Sequence, residues 1–271
     1  MGLKTNKPLY HHCRIEKALT ILEVLLAIVL GCLVGMVLYQ MYYTQDRTYT
    51  LQSEISEMQQ NLRVAIEKIS RDLTMAGFAQ PPWTTINGES GIDFEGMRVT
   101  GGTVLDVVGT FDGAQGTMAK KTVAGATALE LSSGDGENFQ GKGKIDINIG
   151  GRENAKITNK SGSTLTIDTD PHAVGLQGLH HEYPAGTPVY LVKWKTYWVD
   201  NAKPAEPVLR VDEHIGSGGQ PLALFITGMA IAQTGRVASI TISGKTRNPD
   251  RTTGLRTSGQ LTNRIVLRNL P

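Results

Sequence analysis

The chain has 271 residues, with 27 lysines and arginines against 25 aspartates and glutamates and a formal net charge of +2. With 40% apolar and 19% charged residues it is not a wholly disordered chain, and its charge balance gives no basis for nucleic-acid binding. Its two cysteines, Cys13 and Cys32, exclude a disulfide-stapled scaffold.

Residues 1–18 carry Lys4, Lys7, Arg14 and Lys17 against one acid, Glu16. From Leu19 to Tyr43 the only charge is Glu23. The uncharged run Val24–Tyr43, as a helix rising 1.5 Å per residue, spans about 30 Å, one hydrocarbon thickness. Basic residues directly before it place its N-terminal end in the cytoplasm and the rest of the chain across the membrane. No small-x-small cleavage site follows the apolar run, and Tyr39, Tyr42 and Tyr43 suit an interfacial belt, so the segment reads as retained. Glu23 is the anomaly. A carboxylate at membrane depth costs about 2.5–3.5 kcal/mol, so it either stays wet at the cytoplasmic edge or is paired.

The string Lys17-Ala18-Leu19-Thr20-Ile21-Leu22-Glu23-Val24-Leu25-Leu26-Ala27 resembles the N-terminal signature of type IV prepilins. Ala18 stands where that family usually has Gly, and Leu19 where it often has Phe. The resemblance implies that residues 1–18 are a leader, that prepilin peptidase cuts between Ala18 and Leu19, and that the new Leu19 amine is N-methylated. It also implies that Glu23, with Thr20 beside it, sets the register of assembly by pairing with the Leu19 amine of a neighbouring subunit. In an apolar bundle such a charge-assisted contact is strong and the unpaired alternative costly. Cleavage would leave 23 basic against 24 acidic residues and retain Cys32 as the one thiol. Gly31-x-x-x-Gly35 either permits close helix packing or is a chance pair of small residues, and if assembly requires local melting these two glycines are the candidates for it.

After Tyr43 the pattern turns amphipathic. Leu51, Ile55, Met58, Leu62, Ile66, Ile69 and Leu73 form one helical stripe, with Glu54, Glu57, Arg63, Glu67, Lys68, Arg71 and Asp72 mostly on the other face. With no proline before Pro81 and a stop at Gly77, residues 20–77 are predicted as a single helix of about 87 Å. Its two halves are 19–43, for membrane and assembly, and 44–77, amphipathic. The run Ser70-Arg71-Asp72-Leu73-Thr74-Met75-Ala76-Gly77-Phe78 resembles the helix end of PilW-type minor pilins, and to a lesser degree that of J-type minor pseudopilins of type II secretion.

Residues 78–271 hold 27 of the 31 glycines, and short β-favouring runs recur between turn signals. Strands are predicted over Thr103–Thr110, Ala128–Ser132, Ile145–Ile149, Thr164–Asp168, Val189–Val199, Val208–Val211, Leu222–Ile231, Val237–Ile242 and Leu261–Leu267. In Val189–Val199, Tyr190, Val192, Trp194, Thr196 and Trp198 read as the buried face, and Lys193 and Lys195 as the wet one. An antiparallel β head follows, with an insertion at about 84–186. The stretch Leu261–Asn269 resembles a last strand of PilW-type proteins.

Chemistry is sparse. Ser243-Gly244-Lys245-Thr246 lacks the upstream glycine and following helix of a phosphate loop. Ser132–Asn138 lacks the spaced acids of a calcium loop and reads as a solvated turn. His172, His180 and His181, near Asp168, Asp170 and Glu182, lack metal-site spacing and read as a surface loop. No metal, cofactor or catalytic carrier is expected.

The expected fold class is thus α+β and pilin-like: a long N-terminal helix packed on a glycine-rich antiparallel β head. The resemblance implies a minor pilin that primes or caps a type IV pilus serving adhesion, twitching motility or DNA uptake. Its partners would be prepilin peptidase, other major and minor pilins through the helix, and the inner-membrane assembly platform. It would lie in the inner membrane before assembly and in the pilus at the cell surface afterwards. The alternatives are a minor pseudopilin of type II secretion and a non-polymerising membrane anchor with a ligand-binding β head.

Overall fold

The computed structural model describes residues 20–86, 88–139, 145–214, 218–250 and 253–269, which form one long helix and antiparallel sheets, an α+β arrangement. The chain divides into two compact units, Met1–Gln52 and Ser53–Pro271.

Helix α1 runs Ile21–Met75. In the first unit its residues 20–46 are exposed throughout. In the second, Met58, Leu62, Ala65, Ile66, Ile69, Asp72 and Leu73 are buried, while Leu51 in the first and Ile55 in the second are half-covered. The 3–4 spacing of these residues explains the stripe; each fully buried aliphatic side chain contributes about 1.5–3 kcal/mol. One predicted outward residue, Asp72, lies inside instead. It continues the row Met58, Leu62, Ala65, Ile69, whose spacing returns it to the covered face. The helix stops where Gly77 takes φ 78°, a left-handed geometry that favours glycine, and its N–H donates to the Val108 carbonyl at 2.8 Å.

A small hairpin follows, β1 (Thr85–Ile86) with β2 (Glu89–Ser90). Strands β3 (Met97–Thr100), β4 (Val104–Gly109), β5 (Ala114–Thr117) and β6 (Ala128–Glu130) precede a 3₁₀ turn, Asp135–Asn138. Then come β7 (Ile145–Ile149), β8 (Glu153–Ser161), β9 (Thr164–Asp168), the long β10 (Pro188–Asp200), β11 (Val208–Asp212) and β12 (Gln220–Leu224). The last three, β13 (Ile226–Thr234), β14 (Val237–Lys245) and β15 (Ser258–Val266), form their own sheet in that order.

The large sheet runs β12-β11-β10-β7-β8-β9-β6, with β3 on β4 and both β4 and β5 on β10. Strand β10 is its spine: residues 193–197 pair with β4 and 196–200 with β11, while 188–190 pair with β5 and 189–192 with β7. Two main cores result. The helix stripe packs with Leu105, Tyr197, Leu209, Ile240, Ile242 and Ile265, and a second core gathers Met118, Leu129, Phe139, Ile147, Ile157, Leu165 and Val189. Of residues 84–186, β3 and β4 thus serve the helix-side sheet, and β5 to β9 the second core.

Two strand expectations are corrected. Leu222–Ile231 is two strands, because Phe225 adopts φ 59° between β12 and β13 and breaks the extended run. The supposedly wet face of β10 is covered: Lys195 is fully buried and Lys193 half-buried, in line with Val189 and Tyr197. Asp72 of helix α1 meets Lys195 on that face, so the centre of β10 is largely covered there and its lysines are not solvated.

Candidate functional site

At the start of α1, Thr20 and Glu23 form a reciprocal cap. The Thr20 N–H donates to Glu23 Oε2 at 2.9 Å, the Thr20 hydroxyl to the same oxygen at 3.1 Å, and the Glu23 N–H to Thr20 Oγ1 at 3.3 Å. This is the Thr-x-x-Glu capping box, which satisfies helix N–H groups that have no partner within the helix. Both contacts on the carboxylate fall on Oε2. Ala18 and Leu19, the expected cleavage and methylation positions, lie outside the described residues.

Beyond the cap the helix is long and apolar enough to cross a membrane, and that stretch buries nothing within the chain. Its large apolar side chains are exposed, from Ile21 and Leu22 through Tyr42 and Tyr43. Nothing lies within 4 Å of the position a Cβ would take on Gly31 or Gly35, so that face is open to a neighbour. Cys32 is exposed as a thiol.

Within the second unit the most concentrated chemistry was missed by sequence reasoning. Lys195 Nζ lies 3.1 Å from Asp72 Oδ2 and 3.2 Å from Glu213 Oε1, with both Lys195 and Asp72 at 0% exposure. The Tyr197 hydroxyl donates to the same Asp72 oxygen, and the Phe111 ring sits 4.6 Å from Lys195 Nζ. Lys193 extends the network to Asp112 at 2.6 Å and Glu213 at 3.2 Å, and Lys68 stands 3.8 Å from Asp72 Oδ1. Three acids thus face three lysines, and this balance lets Lys195 and Asp72 stay buried at the centre.

The electrostatics agree. Burial pushes the Glu213 carboxyl up, but the Lys195 and Lys193 ammoniums outweigh it and hold it below its ordinary value. Lys193 moves above its ordinary value: burial lowers it, but Asp112 and Glu213 prevail. Burial and Asp72 drive the Tyr197 hydroxyl far upward, so it remains a donor. Asp72 Oδ1 is buried and accepts no hydrogen bond.

The histidine loop lies at the surface, as expected, with His172, His180 and His181 exposed. His180 Nδ1 lies 2.7 Å from Glu153 Oε1 and His181 Nδ1 3.6 Å from Oε2, while the Tyr183 hydroxyl donates to Oε2 at 3.0 Å. Glu182 pairs with Lys121, and Asp168 and Asp170 accept from backbone N–H groups of their own loop. In Ser132–Asn138, Asp135 Oδ2 turns inward to the Thr117 N–H at 2.8 Å. Ser243–Lys245 lies within β14. Among the described residues no three His, Cys, Asp or Glu side chains are placed to hold a metal.

The head carries shallow cavities. One of about 430 Å³ is lined by Gln80, Pro82, Trp83, Asp93 and Phe94, another of about 390 Å³ by Asp200, Lys203, Arg210 and Arg247. No protein family, curated protein or solved structure matches the chain.

Proposed function

We propose that this chain is a minor pilin, most like the PilW type, that enters a type IV filament through its N-terminal helix. The observation that carries the reading is the apolar stretch of α1, exposed along its length and bearing a single carboxylate at its start. So large an uncovered apolar surface needs lipid or other helices around it. In this reading the prepilin peptidase removes residues 1–18, Leu19 becomes the methylated N-terminus, and the helix passes from the inner membrane into the filament with sibling pilins. The capping box then has a second use. Oε2 is engaged by Thr20, and Oε1, which accepts no hydrogen bond among the described residues, faces a neighbouring subunit's amine.

The test has two parts. N-terminal sequencing and intact mass of the membrane-extracted protein, with and without the peptidase, should give a chain beginning at N-methylated Leu19 only when the peptidase is present. Glu23→Ala should still insert in the membrane but lose filament incorporation. A chain retaining Lys4 to Ala18, with Glu23→Ala indistinguishable from wild type, would make it a static membrane anchor.

A further inference from the structure

The Lys195–Asp72–Glu213 cluster contains what an amide condensation needs, and we propose that Lys195 and Asp72 form an intramolecular isopeptide bond with Glu213 as the proton acceptor. The nucleophile and electrophile are already in contact, Nζ to Oδ2 at 3.1 Å, held by a helix and a strand 123 residues apart in sequence. Such fixed juxtaposition replaces a large part of the entropic barrier to bond formation. In bulk water hydrolysis prevails over condensation and the ammonium keeps its proton, but here Lys195 and Asp72 are fully buried and Phe111 covers the ammonium, which disfavours both.

Each proton has a place to go. Glu213 Oε1, 3.2 Å from Lys195 Nζ, takes one proton from the ammonium and leaves a neutral amine. The amine lone pair attacks Asp72 Cγ, forming the C–N bond, while the Tyr197 hydroxyl donates to Oδ2 and stabilises the charge that gathers there. The C–Oδ1 bond then breaks. Oδ1 departs as water with two of the three ammonium protons, one returned by Glu213, which ends as a carboxylate again. One ammonium and one carboxylate become one amide and one water, with no oxidant or co-reactant.

The product satisfies the site better than the ion pair does. Asp72 Oδ1, buried without a hydrogen bond, is the oxygen that leaves. The remaining carbonyl keeps the Tyr197 hydroxyl, and the amide N–H keeps Glu213. Two buried charges disappear, and with them their desolvation cost. The inference does not depend on the filament reading, because every group involved lies in the Ser53–Pro271 unit.

The experiment is intact mass of the full chain purified in detergent and then fully denatured. The expected mass is one water below that of the same N-terminus without the link. Trypsin should leave a branched peptide joining residues 72–98 to 194–210, since an amidated Lys195 is not cut and Lys203 precedes Pro204. Glu213→Gln and Lys195→Arg should both restore the full mass. Wild-type chain at full mass overturns the proposal whether or not the variants fold. Loss of water without the branched peptide, as a cyclic imide would give, overturns it too, and a branched peptide in Glu213→Gln removes Glu213 from the mechanism.

Discussion

Glu153 shows how this protein uses buried charge at the level of a single residue. Burial pushes its carboxyl up, but the His180 N–H and ring and the Tyr183 hydroxyl outweigh it, holding the group below its ordinary 4.5. A carboxyl with a folded-state value below its unfolded one contributes stability that is complete above the unfolded value. That contribution is lost as pH falls through the folded value. The melting temperature of the protein should therefore drop as pH falls below 4.5. Glu153→Gln should flatten part of that acid limb and lower the melting temperature at neutral pH. An acid limb identical in the two proteins would show that the carboxylate contributes nothing. Tyr183 responds in the opposite direction to the same partner, its hydroxyl driven upward by burial and by Glu153, and so stays a donor throughout that range.

At the scale of elements, the contact between the end of α1 and β4 leaves no room for a side chain. Ala76 bridges Gly109, and a Cβ on Gly109 would lie 2.5 Å from the Met75 carbonyl oxygen. The obstruction is backbone, not a flexible side chain. Gly109→Ala should destabilise the protein by about 1–3 kcal/mol, the usual range for overpacking a well-filled core, as measured by urea unfolding. An unchanged midpoint would mean that strand and helix end separate easily. Strand β10 is the other organising element. It pairs with four strands, contributes Tyr197 to the helix-side core and Val189 to the second, and carries Lys195 between them.

For the whole molecule, the two units divide the apolar residues unequally. The exposed large apolar side chains from Ile21 to Tyr49 all belong to Met1–Gln52, whereas both main cores lie within Ser53–Pro271. A chain starting at Ser53 retains Met58 through Leu73, the helix residues that the first core needs. It should fold, stay in solution without detergent and run as a monomer by size-exclusion chromatography with light scattering. Aggregation, or loss of the β signal in circular dichroism, would mean that residues before Ser53 are part of the folding unit.

Much of this architecture was legible in the order of residue types. An uninterrupted apolar run with one acid, then a 3–4 periodic stripe without proline, can only be a long helix with two environments, because helix periodicity is local. Strands β7 and β9 carry enough aliphatic residues to be placed to the residue. Strand β8, Glu153–Ser161, was not visible: its buried face is only Glu153, Ala155 and Ile157, one charged, one small and one aliphatic residue among polar neighbours, which is too weak an alternation to read as a strand. The burial of Asp72 and Lys195 likewise could not be read from either segment alone. Signals existed, since Asp72 continues a row of buried helix positions and Lys195 lies between Val189 and Tyr197 on one strand face. A charge in such a place reads as a solvated edge until its counter-charge is known. That counter-charge lies 123 residues away, and the tertiary fold brought the two together. Local patterning determined which segments are helix and strand and which apolar surface is left uncovered. Only the packing of α1 on β10 decided which charges are buried, because the free energy of a buried ion depends on partners that neighbours in sequence do not supply.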